Sequence, residues 1–466
     1  MRVGHIKDQV SPLTGKSNVL TTQTENRMKV IVGLGKTGLS CARFLASRGE
    51  HFKVVDSRQN PPGLQQLKAE HPGVELELGD FNQETLMNAD QLIVSPGVDQ
   101  KTPAIRKAAE SGVQITGDVN IFAREISAPI VAVTGSNAKS TVTTLVGEMA
   151  IADGINVAIA GNIGLPVLDC LLQSRASLYV LELSSFQLET TSDLGAEVAT
   201  VLNISPDHMD RYATLEEYAR AKYRIYEGCR QAVINDDDRL SAPELPTGIR
   251  QWHFGLGKGN GDGFFVEQVN GEECLCHDGE VLMPASELRM PGRHNIANAL
   301  AALALGNAVG LSVDAMVETL KCFPGLEHRC QWVAESAGVN WYNDSKGTNV
   351  GACIAAVEGF GNESRLILIA GGQGKEADFN PLEAPLSRHC KLVILFGEDA
   401  ALLEKAVGQS VATVFAGSLE EAVRLACKNA VAGDTVLFSP ACASFDMFRN
   451  YEERGDVFMR CVRELH

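Results

Sequence analysis

Short apolar runs of β-forming residues recur along this chain, and most close on glycine or a small polar residue before a helix-forming stretch begins. Lys29-Val30-Ile31-Val32 leads into Gly33, Gln91-Leu92-Ile93-Val94 into Ser95, and Ile130-Val131-Ala132-Val133 into Thr134-Gly135. Residues 365–370 lead into Gly371-Gly372, 392–396 into Gly397, and 435–438 into Ser439-Pro440. Strands alternating with helices imply parallel sheets, because parallel neighbours need a crossover. Ligands then sit at the carboxyl ends of the strands. The expected fold class is α/β, with three units in tandem. The length of 466 residues agrees, at about 150 residues per domain. The expected boundaries are 28–118, 119–325 and 326–466. Residues 1–27 are polar and lack an aromatic residue, so they read as a flexible extension, with Met28 an alternative start.

Charge narrows the function. Asp and Glu number 58 against 41 Lys and Arg, a net charge of −17. Such a chain is a poor candidate for nucleic-acid binding, which needs a basic face. Anionic small molecules remain accessible through glycine loops, helix N-termini and a few placed cations. The 12 cysteines are scattered, none at C-x-x-C spacing, which fits a reducing cytosol rather than a zinc site or a disulfide framework. No apolar run reaches about 18 residues, and the N-terminus has no apolar leader, so neither a membrane span nor a secretory signal is expected. The expected setting is cytoplasmic.

Gly33-Leu34-Gly35-Lys36-Thr37-Gly38 follows a strand and opens a helix, and Asp56 ends the next strand 23 residues after Gly33. Glycines let the backbone turn tightly and approach a diphosphate at the helix N-terminus. The same pattern also serves as a simple packing turn. Thr134-Gly135-Ser136-Asn137-Ala138-Lys139-Ser140-Thr141 joins a strand to a helix and suits triphosphate binding. Lys139 would reach the phosphates and the Ser140 hydroxyl would meet Mg2+. It departs from the usual phosphate-loop pattern, with Val133 and Ala138 in place of glycines, so an ordinary Ser/Thr-rich helix start reads equally well. Glu182 ends an apolar strand where a Mg2+ ligand is needed. His208 follows another strand end, where a lone histidine is more often structural or surface than a ligand. Lys222 lies mid-helix beside Glu216 and Glu217, the setting of a solvated, ion-paired lysine. Asn343-Asp344-Ser345-Lys346-Gly347-Thr348-Asn349 and Gly371-Gly372-Gln373-Gly374-Lys375 offer a lysine near a strand end, as a carboxylate or phosphate site or as tight turns.

In order, these motifs resemble the bacterial Mur ligase family over residues 28–466. The set includes Glu182-Leu183-Ser184-Ser185-Phe186-Gln187-Leu188-Glu189, Asp207-His208-Met209-Asp210-Arg211-Tyr212 and Gly292-Arg293-His294-Asn295-Ile296-Ala297-Asn298. It continues with Gly325-Leu326-Glu327-His328-Arg329, the loop at 343–349, and Ser439-Pro440-Ala441-Cys442-Ala443-Ser444. The motifs look like those of the D-glutamate-adding branch, and the Asp-Asn-Pro-Arg motif of diaminopimelate-adding relatives is absent. The resemblance implies a Rossmann-like UDP-binding domain, a central P-loop-type ATPase domain and a C-terminal Rossmann-like domain. It implies that ATP phosphorylates the carboxylate of UDP-N-acetylmuramoyl-L-alanine and that the amine of D-glutamate attacks the acyl phosphate, in a monomeric enzyme.

The resemblance also assigns roles. ATP would lie on Gly135, Ser136, Asn137, Ala138, Lys139, Ser140, Thr141, Asn295, Asn298, Arg329 and Asp344. Two Mg2+ ions would be held by Ser140, Glu182, His208 and a carbamate on Lys222. Lys346 and Thr348 would face the reaction centre, with Lys139, Glu182, His208, Lys222 and Lys346 as the catalytic set. Thr348, Lys375, Ser444 and Tyr451 would bind D-glutamate. Lys36, Thr37, Asp56, Ser57, Arg58, Ser95, Gly97 and Asn162 would line the UDP-sugar. Two departures stand out: Ala138 where the family usually has glycine, and Tyr451 where phenylalanine is common. Alternatives are another amino-acid ligase of the superfamily such as folylpolyglutamate synthetase, an NAD-dependent dehydrogenase using residues 33–38 and Asp56, and a non-catalytic nucleotide-binding protein.

Overall fold

Strands buried on both faces read as unbroken apolar runs, and such runs form the centres of three sheets. The structure, a computed structural model, describes residues 28–173, 175–192, 194–257, 262–290, 292–360 and 366–465. The extension 1–27, residues 258–261 of a glycine-rich stretch, Pro291 and Arg365 lie outside them.

The first sheet holds β1 (Lys29–Val32), β2 (Phe52–Asp56), β3 (Glu75–Leu78), β4 (Gln91–Val94) and β5 (Gln114–Thr116), in the order β3-β2-β1-β4-β5. All pairs are parallel. The strand order reverses between β1 and β4, so a ligand crevice opens where Gly33 and Ser95 end those strands.

The central sheet holds β6 (Ile130–Thr134), β7 (Val157–Gly161), β8 (Leu178–Glu182), β9 (Val198–Val201), β10 (Gln231–Asn235), β11 (Arg250–Gly255), β12 (Gly263–Val269), β13 (Glu272–His277) and β14 (Glu280–Pro284). Their order is β14-β13-β12-β11-β10-β9-β6-β8-β7. The helix Lys139–Ala152 leaves β6 and packs on the helix Arg293–Ala308, with Val142, Leu145, Leu300 and Leu303 fully buried between the elements.

The third sheet holds β15 (Gln331–Ser336), β16 (Val339–Asn343), β17 (Leu366–Gly371), β18 (Cys390–Phe396), β19 (Thr413–Phe415) and β20 (Thr435–Phe438), ordered β15-β16-β20-β17-β18-β19.

The sheets depart from the all-parallel expectation at their edges. β12, β13 and β14 pair antiparallel, as do β15 and β16. The turns responsible are Asn270-Gly271, Asp278-Gly279 and Ala337-Gly338, every residue of which has positive φ. Such turns match the twist of a hairpin. The helix around Lys222 ends at Tyr223 and continues as a 3-10 turn, Arg224–Tyr226. No helix among the described residues is long and apolar enough to cross a membrane.

Candidate active site

A cleft of about 760 Å³ draws its walls from all three units. Lys36, Thr37, Asp56, Ser57, Arg58, Ser95 and Gly97 come from the first. Ser136, Asn137, Ala138, Lys139, Ser140, Asn162, Glu182, His208 and Lys222 come from the second. Arg329, Lys346, Thr348, Lys375, Ser444 and Tyr451 come from the third. A second cavity of about 720 Å³ adjoins it, lined by Thr141, Asn295, Asn298 and Asp344; Asn137, Ala138, Arg329 and Lys346 line both. Gly135 lines neither, but its carbonyl accepts hydrogen bonds from Lys139 and Lys222. Residues scattered over 400 positions of sequence thus meet because three sheets turn the ends of their strands to one place.

The loop after β6 is held from below. Ser136 N donates to Asn203 O at 2.9 Å and Asn137 N to Asn203 Oδ1 at 2.8 Å. Ala138 caps the next helix at φ 65°, ψ −5°. That is the left-handed region, so the alanine in place of a glycine is strained there, at a cost of about 1 kcal/mol. Lys139 curls back over its own loop, its Nζ donating to the carbonyls of Gly135 and Ser136 at 2.9 Å. Burial lowers its pKa, Glu182 and Asp207 oppose, and Arg329 and Lys375 add to the lowering. Ser140 Oγ accepts from Arg329 Nη2 at 2.6 Å, across the central and third units.

Glu182 ends β8 almost fully buried. Its Oε1 accepts from Asn162 Nδ2 at 2.6 Å, and its Oε2 has no hydrogen-bond partner. His208 sits at φ 57°, with its ring centroid 4.8 Å from that of Phe186 and the two planes inclined at 60°. Burial lowers its pKa, against the pull of Asp207.

Lys222 overturns the solvated reading: it is 1% exposed. Its Nζ donates to Gly135 O at 2.8 Å and lies 4.5 Å above the Tyr218 ring. Burial pushes its pKa well below the ordinary lysine value, with Lys139 adding. The spacing signal was present. Lys222 is four residues after Tyr218, on the buried face of its helix, whereas Arg220 and Glu216 pair in solvent on the other side.

Asp56 lines the cleft, and its carboxylate is taken up by groups of its own unit. One oxygen accepts from Leu34 N and Arg58 Nη2, the other from the Arg58 backbone N–H and Nε, all at 2.7–2.9 Å. Its carboxylate therefore fixes the glycine turn and Arg58.

In the third unit, Lys346 Nζ lies 3.8 Å above the Tyr451 ring. Burial, with Arg329 and Lys139 nearby, lowers its pKa to about 8. Lys375 Nζ pairs with Asp207 Oδ1 at 3.1 Å, and Asn349 Nδ2 bonds to Asn137 Oδ1 at 3.1 Å, so loops of this unit lie against the central one. Asp344 is buried, accepts from Ser439 Oγ at 2.7 Å, and has its pKa raised to about 6 by burial. Sequence reasoning missed Asp207 and Asn349. It also missed Arg454, fully buried and donating to the Ser345, Cys442 and Ala443 carbonyls, which joins the loop of Lys346 to that of Ser444. A buried arginine near a helix start carries no local signal.

Among the described residues no three His, Cys, Asp or Glu side chains cluster as a metal cage. The residues present still fit a hard cation that keeps water or phosphate oxygens. The partnerless Glu182 Oε2 is a buried carboxyl oxygen in the wall of the cleft, the hard donor such a cation takes.

Family profiles match three consecutive stretches: the Mur ligase MurD-like N-terminal domain at 27–117, the Mur ligase middle domain at 133–306 and the Mur ligase glutamate ligase domain at 328–442. The chain is 54% identical over 442 residues to the UDP-N-acetylmuramoylalanine--D-glutamate ligase of Pseudomonas syringae pv. syringae, covering 94% of this chain and 98% of that one. This chain belongs to the Mur ligase family. Its likeness to the enzyme of the same name from Marinobacter nauticus is 52% over 441 residues, covering 94% and 99% of the two chains. Among solved structures, the MurF ligase of Thermotoga maritima in complex with ADP aligns with TM-score 0.60 at 16% identity, covering 95% and 97%. The UDP-N-acetylmuramate-alanine ligase of Thermotoga maritima aligns with TM-score 0.59 at 16% identity, covering 94% and 100%. These two share the Mur ligase fold. The N-terminal profile and the use of all three units set aside a dehydrogenase built on residues 33–38 alone.

Proposed function

We propose that this Mur ligase joins D-glutamate to UDP-N-acetylmuramoyl-L-alanine at the expense of ATP, in cytoplasmic peptidoglycan precursor synthesis. The observation that carries the reading is the single cleft to which all three units contribute, in a chain at least 52% identical to D-glutamate ligases over nearly its full length. In this reading residues 28–118 hold the UDP-sugar, 119–325 most of the ATP, and 326–466 D-glutamate and the rest of the ATP, in a monomer.

A free carboxylate is a poor electrophile, and phosphorylation supplies the leaving group. Lys139 and the backbone N–H groups of 138–140, at the helix start, cradle the β- and γ-phosphates, with Arg329 beside Ser140 countering the charge that develops on transfer. Asn295, Asn298 and Asp344, in the second cavity, hold the nucleoside. Arg58, Lys36, Thr37, Ser57, Ser95, Gly97 and Asn162 hold the UDP-sugar. Lys375, released from Asp207, pairs with a D-glutamate carboxylate beside Ser444, Thr348 and Tyr451. Lys346 stands over the reaction centre as a cation. The amine nitrogen of D-glutamate then attacks the acyl carbon, the C–N bond forms, the C–O bond to phosphate breaks, and the amine proton passes to solvent.

Ser140, Glu182, His208 and a carbamate on Lys222 would hold two Mg2+ ions, which would supply positive charge against the crowded phosphate oxygens. The carbamate comes from the family resemblance and the lowered Lys222 pKa supports it: a neutral amine attacks carbon dioxide, an N–C bond forms, and a proton leaves. The product is an anion where an ammonium stood.

The test is a mass balance. With ATP, Mg2+, UDP-N-acetylmuramoyl-L-alanine and D-glutamate, ADP, phosphate and UDP-N-acetylmuramoyl-L-alanyl-D-glutamate are expected in equal amounts. Hydroxylamine added without D-glutamate traps the acyl phosphate as a hydroxamate. ADP without the amide product would overturn the reading.

A further inference from the structure

Arg211 lines neither cavity. Yet its guanidinium is mostly buried, with 12% of the side chain exposed, and it touches two units at once. Nη1 donates to Pro96 O at 3.3 Å and Nη2 to Val98 O at 3.5 Å, on either side of Gly97 in the first unit. Within the central unit it pairs with Glu189 and lies 4.4 Å over the Phe186 ring. Tyr212 OH donates to the other Glu189 oxygen at 2.6 Å, and the Phe186 ring meets the edge of His208. The backbone closes the loop, since Arg211 N and Tyr212 N both donate to His208 O, at 3.0 and 3.1 Å.

Those partners occupy the guanidinium: one carboxylate, two carbonyls and one ring face. It is therefore no anion ligand for the substrate. What it does is fix the separation between the turn at 95–98, which walls the UDP end of the cleft, and the His208 segment, where the reacting carboxylate must lie. The geometry points to Arg211 as a positioning residue that sets the register of the nucleotide-sugar across the seam, so that binding at the UDP end places the carboxylate for phosphorylation. The inference rests on the ligase reading above and deepens it.

A positioning role has a signature that a purely structural role lacks. Binding from the remote part of a substrate raises turnover only if the two ends are held in register. The full-length chain and its Arg211→Lys and Arg211→Gln variants would be assayed with UDP-N-acetylmuramoyl-L-alanine and with N-acetylmuramoyl-L-alanine 1-phosphate, which lacks the uridine. The unaltered chain should prefer the full substrate strongly in kcat/KM. Both variants should lose about tenfold or more of that preference, mostly through kcat, with the KM for ATP within about twofold of the parent. Binding of UDP alone, followed by calorimetry, should stay unchanged because the first unit's own ligands are intact.

An equal loss on both substrates, a loss of UDP binding along with turnover, or no loss would overturn the inference while leaving the ligase reading in place. Absence of turnover in the unaltered chain would overturn both.

Discussion

The ammonium of Lys222 donates to the carbonyl of Gly135 at 2.8 Å, from a helix 87 residues further along the chain into the floor of the phosphate loop. A buried cation on a main-chain carbonyl is a costly arrangement, and burial drives its pKa well below the ordinary lysine value. The neutral amine is the form that reacts with carbon dioxide, so burial supplies the nucleophile that the proposed carbamate requires.

Replacing Lys222 with alanine should therefore remove about a hundredfold or more of the activity. Bicarbonate should not restore it, and a short carboxylic acid should restore part by standing in for the carbamate. Steady-state phosphate release checks this, and normal turnover in Lys222→Ala would remove the carbamate from the mechanism.

Ala138 holds φ at 65°, where a side chain is strained. Ala138→Gly should stabilise the protein by about 1 kcal/mol, read as a higher urea midpoint for the transition of the central unit. The KM for ATP should fall or hold. A lower midpoint would show that the loop is not left-handed at this position.

Lys346 predicts the alkaline limb of the pH profile. Its pKa is lowered to about 8 by burial and by Arg329 and Lys139. The sign is that of a depressed lysine: the charged form is present below about 8 and lost as pH rises through it, so turnover falls there. The Tyr451 ring, 3.8 Å below, favours the cation. A cation–π contact of about 0.5–1 kcal/mol is worth less than one pH unit at about 1.36 kcal/mol per unit. Tyr451→Leu should move the limb to lower pH by about that fraction, and Tyr451→Phe should leave it in place. A limb unaffected by both changes would separate Lys346 from the rate.

Lys375 already has a carboxylate partner, Asp207, at 3.1 Å. In the proposed function D-glutamate takes its place, so Lys375→Met should raise the KM for D-glutamate by about tenfold or more while the KM for ATP changes little. Parallel kinetics in the two substrates measure the split. Equal effects on both would assign Lys375 to general packing.

Much of this was legible beforehand because it was local. The glycine turn at 33–38, the loop at 135–141 and Glu182 at its strand end follow from apolar runs and spacing, and the structure places each at a cleft wall or beneath it. What escaped was long-range or depended on which way a helix faces. Lys222 sits among charged neighbours in sequence, and only the packing of Tyr218 inward shows that it is buried. Asp207 and Lys375 are 168 residues apart and meet across two units. The hairpins of β12–β14 were within reach, since Asn270-Gly271 and Asp278-Gly279 are strong turn signals. The surrounding α/β pattern argues for parallel pairing and masks them. Arg454 and Arg211 act through main-chain carbonyls of remote loops, contacts that leave no trace in local spacing.

The central claim is the choice of amino acid joined to UDP-N-acetylmuramoyl-L-alanine. Its most direct test is phosphate release from ATP by the full-length chain with that substrate, comparing D-glutamate, L-glutamate, meso-diaminopimelate and no amino acid. The account predicts release that depends on D-glutamate. Release equal in all four cases, or greatest with another amino acid, would contradict it.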